Sequence, residues 1–92
     1  MEKGIVLRKA DLLKLETRPD AEYPQEDKYP SGEVICFGEV VGGVEPGKSV
    51  LMIKLDSFGG FATSVVKEIE EEAPNFVQFK TINSRYKLIW KD

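Results

Sequence analysis

Residues 33–55 read EVICFGEVVGGVEPGKSVLMIKL, and this stretch decides the fold. Glu33 to Val44 is apolar and rich in β-branched side chains, Ser49 to Leu55 is apolar again, and Gly42-Gly43-Val44-Glu45-Pro46-Gly47 supplies turn residues between them. Two β-type runs joined tightly predict a hairpin. The same letters also satisfy the phosphate-loop pattern G-x-x-x-x-G-K-S/T from Gly42 to Ser49. A working loop of that kind follows a buried parallel strand and opens a helix whose N-terminus holds the phosphates. Here Pro46 stiffens the loop and Val50 to Leu55 is β-type, so the hairpin is the preferred reading.

Beyond the hairpin, Asp56-Ser57-Phe58-Gly59-Gly60 marks a second turn, and Phe61 to Ile69 follows with imperfect alternation of apolar and polar residues. Strand is preferred there. A short helix through Glu72 is the alternative, because Val65, Val66 and Ile69 also lie at helical spacing and Ser64 suits an N-cap. Ala73-Pro74-Asn75 ends that element, Phe76 to Thr81 alternates as a strand, Ile82-Asn83-Ser84 breaks it, and Arg85 to Lys91 forms the last strand with Tyr86, Leu88 and Trp90 on one face. On the other side of the hairpin, Arg18 to Gly32 reads RPDAEYPQEDKYPSG, a loop composition at a length that is usually functional or disordered. Its Tyr23-Pro24 and Tyr29-Pro30 pairs favour extended backbone and suggest pinning by ring packing. Ile5-Val6-Leu7 and Leu12, Leu13 and Leu15 complete the pattern as a bent strand or a strand followed by a helical turn, with strand preferred. Residues 1–92 therefore read as one mainly β domain with a long loop at 18–32. The expected fold is a small antiparallel barrel or roll, SH3-like or OB-like, of five to six strands with at most one short helix.

Composition narrows the function. The chain has 92 residues, 41% hydrophobic and 32% charged, which is globular composition within the size of a single core. It contains no histidine, so the commonest general base, the commonest metal ligand and every Ser-His or Cys-His nucleophile are missing. One cysteine, Cys36, supports neither an internal disulfide nor a structural zinc site. These facts point away from an enzyme and from a metal or other cofactor. A reducing, cytoplasmic setting is expected, because no apolar run reaches the roughly 20 residues of a membrane span and Met1-Glu2-Lys3-Gly4 lacks signal-peptide character. A net charge of −3 disfavours duplex DNA. The acidic run Glu68, Glu70, Glu71 and Glu72 reads first as a solvated face; it also offers an imitation of nucleic-acid phosphates toward a basic protein.

A binding surface is expected near the C-terminal end. Phe61-Ala62-Thr63-Ser64 and Phe79-Lys80-Thr81 share Phe-x-Thr, so pairing of their strands would gather Thr63, Ser64, Thr81, Asn83 and Ser84 at one end of the barrel. Lys80, Arg85 and Lys87 would add positive charge there, and Tyr86 or Trp90 an aromatic face. The stretches Thr63-Ser64-Val65-Val66-Lys67-Glu68-Ile69 and Thr81-Ile82-Asn83-Ser84-Arg85-Tyr86-Lys87-Leu88 resemble a loose group of small bacterial and phage proteins carrying Thr-Ser-x-Val-x-x-Ile and Thr-x-Asn-Ser-x-Tyr-x-Leu. The resemblance covers the last third of the chain and implies a β-rich accessory protein without assigning an activity. The leading expectation is a non-catalytic module that occupies a partner protein, as an inhibitor of a host-defence protein would. The alternatives are capture of a nucleotide or other small anion at Thr63, Thr81 and Asn83, in a pocket completed by a homo-oligomer, and single-stranded nucleic-acid binding through Lys80, Arg85, Tyr86, Lys87 and Trp90.

Overall fold

The computed structural model describes residues 7–22 and 29–91, and these contain six strands and no helix. The strands are β1 (Leu7–Thr17), β2 (Glu33–Val41), β3 (Ser49–Lys54), β4 (Gly60–Ala73), β5 (Phe76–Thr81) and β6 (Ser84–Trp90). Each pairs antiparallel with its neighbour in the chain, and β6 returns to pair with β1, closing a barrel of up-and-down connectivity. Closure leaves no long sheet edge open, which removes the usual route to edge-to-edge aggregation. The predicted small antiparallel barrel is present with six strands. Ile5-Val6 and Tyr23-Pro24 lie outside the described residues.

The interior follows from alternation along each strand. Ala10 and Leu12 of β1, Cys36 and Val40 of β2, Val50 and Met52 of β3, Val66 of β4, Val77 and Phe79 of β5, and Tyr86 and Leu88 of β6 form one buried cluster. The Phe79 and Tyr86 rings stand 5.6 Å apart across the β5–β6 pair. Desolvation pushes the Cys36 thiol above its ordinary pKa; Lys54 opposes the shift and Asp56 adds to it. That thiol is poorly reactive at neutral pH.

Strand β4 explains its own ambiguous sequence. Leu51 pairs with Ala62 but Ser49 pairs with Val65, so an extra residue of β4 is accommodated against β3; against β5, register shifts follow at Val66/Glu68 and Ile69/Glu71. Each bulge moves the inward parity by one residue. Phe61, Thr63, Val66 and Ile69 therefore face or border the interior, a spacing that imitates a helix although the backbone is extended throughout. The helical alternative is excluded by the continuous strand Gly60–Ala73.

The Gly42–Ser49 pattern forms the turn between β2 and β3. Gly42 (φ +80°) and Gly47 (φ +90°) adopt the left-handed backbone that glycine tolerates best, and the Gly47 N–H donates to the Val66 carbonyl at 2.8 Å. A strand follows it instead of a helix, so the setting of a phosphate loop is missing. Gly38 of β2 is required for a different reason: a Cβ there would collide with the backbone carbonyl of Ile53 on β3.

Candidate functional site

Strand β4 serves two neighbours in succession. Its first part, from Gly60 to Val65, pairs with β3, whereas its ladder to β5 begins only at Val66 opposite Thr81. The side that β5 leaves uncovered opens as a cleft of about 410 Å³ lined by Tyr29, Gly60, Phe61, Ala62, Thr63, Ser64, Asn83 and Tyr86. Its size falls within the usual range of small-molecule sites.

One wall of the cleft is a buried polar network. The Ser64 hydroxyl donates to Thr81 Oγ1 at 2.8 Å, and the Thr81 hydroxyl donates to the Ser84 carbonyl at 3.0 Å. Backbone N–H groups of Ser84 (3.0 Å) and Asn83 (3.3 Å) donate to the same Thr81 oxygen. Thr63 Oγ1 accepts from the Val50 N–H at 3.0 Å and donates to the Ser64 carbonyl at 2.7 Å. A threonine that satisfies the backbone of the next turn is a local alternative to ladder pairing, which is why the chain breaks at Ile82-Asn83 and resumes as β6. Arg18 clamps this turn from outside: its N–H donates to the Asn83 carbonyl at 2.7 Å, and its guanidinium donates to the Thr81 carbonyl at 2.7 Å.

The other wall is aromatic. Tyr29 stands edge-on to Phe61 at 5.3 Å, and Tyr86 is 4% exposed beneath them. The end of the long loop is seated by Lys14, whose ammonium donates to the Tyr29 carbonyl at 2.6 Å while the Lys14 carbonyl accepts the Gly32 N–H at 2.7 Å. Lys14 is 1% exposed because it continues the inward parity of Ala10 and Leu12. A ring contact thus holds the described end of the loop, through Tyr29 of the Tyr29-Pro30 pair.

Of the residues expected at the site, Thr63, Ser64, Asn83 and Tyr86 line the cleft, and Thr81 and Ser84 lie directly behind it in the network. Lys80 and Arg85 are elsewhere. Lys80 pairs with Glu68 at 2.8 Å, and Arg85 pairs with Glu16 at 2.9 Å and Glu70 at 3.0 Å, all on the outer surface of the barrel. Partial desolvation raises the Glu70 carboxyl, but hydrogen bonds from Arg85 and Gln78 and the charges of Arg85 and Lys80 outweigh it and hold the group below the usual carboxylate range. Hydrogen bonds to Glu70 and Glu16 push the Arg85 guanidinium further up. Glu68 and Glu70 of the acidic run are therefore paired with Lys80 and Arg85 across β4, β5 and β6. Lys87 sits 4.3 Å over the Phe76 ring, and Arg8 covers half-buried Trp90 at 4.0 Å, so the tail does not present a row of exposed rings.

Sequence reasoning missed Lys14, Tyr29, Phe61 and Ala62 as parts of the site. Lys14 was detectable in principle, since Ala10, Leu12 and Lys14 alternate; the neighbouring Leu13 and Leu15 masked that parity. Among the described residues no group of three or more Cys, Asp and Glu side chains is placed to hold a metal ion. None of the described residues forms a helix long and apolar enough to cross a membrane. No family model, curated protein or solved structure matches the chain.

Proposed function

We propose that this chain is a non-catalytic binding protein that takes a small ligand in the cleft between β4 and the Asn83 turn. The observation that carries the reading is the early departure of β4 from β5, which leaves an opening lined by Tyr29, Phe61 and Tyr86 together with Thr63 and Ser64 of the hydroxyl network. Thr63, Ser64 and Thr81 have their protons committed to protein acceptors, so they position the wall and do not act as nucleophiles. A thermal-shift screen against nucleobases, nucleosides, nucleotides, sugars and aromatic amino acids tests it. A ligand in this site raises the melting temperature of the native chain by mass action, and Ala62→Trp, at an exposed position on the cleft wall, abolishes the gain. Silence across the whole panel contradicts the reading.

A second reading rests on a different surface. Leu51, Ile53 and Leu55 are 43–49% exposed along and just beyond β3, and Phe58 is 99% exposed at the following turn. An apolar row ending in a bare phenylalanine suits a partner protein, as an accessory or inhibitory protein would require. Capture of a partner that Phe58→Ser abolishes and Ala62→Trp leaves intact supports this surface over the cleft.

A further inference from the structure

We infer that the cleft takes a neutral, flat heteroaromatic ligand, of nucleobase or nucleoside type, and discriminates against its phosphorylated forms. The inference rests on the proposed binding function of the cleft and specifies its ligand.

Charge comes first. The described residues that line the cleft include no lysine, arginine, aspartate or glutamate. Lys80 is committed to Glu68, Arg85 to Glu16 and Glu70, and Arg18 to the Thr81 carbonyl and Asp20. The Lys14 ammonium is buried and bonded to the Tyr29 carbonyl. Among the described lining residues, a charged group of a ligand held in the cleft therefore finds no ion-pair partner.

Shape and hydrogen bonding narrow the class further. Tyr29 and Phe61 offer ring surface to a flat body, with buried Tyr86 also in the lining. In an antiparallel pair only alternate residues aim their N–H and C=O at the partner strand. The Lys54 N–H donates to the Gly59 carbonyl, and counting along the register from that bond directs the backbone groups of Gly60 and Ala62 away from β3, toward the side that β5 leaves uncovered. This strand edge offers a donor and an acceptor in alternation, the arrangement a base edge matches. The hydroxyls of Thr63 and Ser64, their protons already committed, have only lone pairs left, which suit an amino or hydroxyl group of the ligand and not a phosphate oxygen.

Calorimetric titration of the native chain with the four common nucleosides and their monophosphates, at low and high salt and beside Ala62→Trp, tests the inference. At least one nucleoside is expected to bind at least about fivefold more tightly than its monophosphate, because the added charge finds no partner, with little dependence on salt and with loss of binding in Ala62→Trp. Tighter binding of a monophosphate that weakens as salt rises overturns the inference and leaves the cleft reading standing. Binding of a sugar or an amino acid in the thermal-shift panel, sensitive to Ala62→Trp, with no nucleoside bound, does the same. Absence of any response in both experiments overturns both.

Discussion

Two regions built from the same short stretch of chain have opposite chemistry. Thr81 and Ser84 turn inward and form an uncharged, fully buried network beside the cleft, whereas their sequence neighbours Lys80 and Arg85 turn outward into ion pairs with Glu68, Glu70 and Glu16. The pleat alone performs this sorting: successive side chains of a strand point to opposite faces. The difference teaches that residue type near a site says little about membership until the parity is known. Hydroxyls and basic side chains adjacent in sequence lie on opposite sides of a wall, and the described residues that line the cleft carry no charge.

The comparison predicts unequal costs. Thr81→Val removes the oxygen that serves Ser64, Asn83 and Ser84, and should destabilise the barrel by roughly 2–3 kcal/mol in denaturant unfolding, since buried groups left without a partner carry their desolvation penalty. The same substitution should change little with added salt. Arg85→Ala breaks two partly exposed pairs and should cost about 1 kcal/mol or less, with the loss shrinking as salt rises. Acid separates the regions further. Because Glu70 titrates below its unfolded value, its pairing contributes stability that is present above the ordinary carboxylate range of about 4.3 and is lost as pH falls through the lower folded value. The gap between native protein and Arg85→Ala should therefore close on acidification, while the gap to Thr81→Val persists. Smallest of all, Lys80→Ala removes one exposed pair and should cost no more than about 0.5 kcal/mol.

The strand content was legible because it rests on alternation and turn residues, and those signals are local. Arg85 to Lys91 shows both, and its inward set of Tyr86, Leu88 and Trp90 agrees with the burial observed along β6. β4 was harder, since its bulges shift the inward parity and give Val65, Val66 and Ile69 a helical spacing; no local signal announces a bulge there. The candidate site was legible in its hydroxyl wall, because Phe61-Ala62-Thr63-Ser64 and Thr81 to Ser84 are brought together by β4 and its neighbours. Its aromatic part was not, since Tyr29 meets Phe61 across more than thirty positions and is held there by a bond from buried Lys14. The separation of Lys80 and Arg85 from the cleft was equally hidden, as it depends on partners on β1 and β4.

Amide chemical-shift mapping of the isotope-labelled chain during titration with a nucleoside tests the proposed binding at the opening between β4 and the Asn83 turn. Binding there gives saturable shifts concentrated at Gly60 to Ser64 and Asn83 to Tyr86, with Leu51, Ile53 and Phe58 unmoved. Shifts centred on Leu51, Ile53 and Phe58, or none at the cleft, would contradict it.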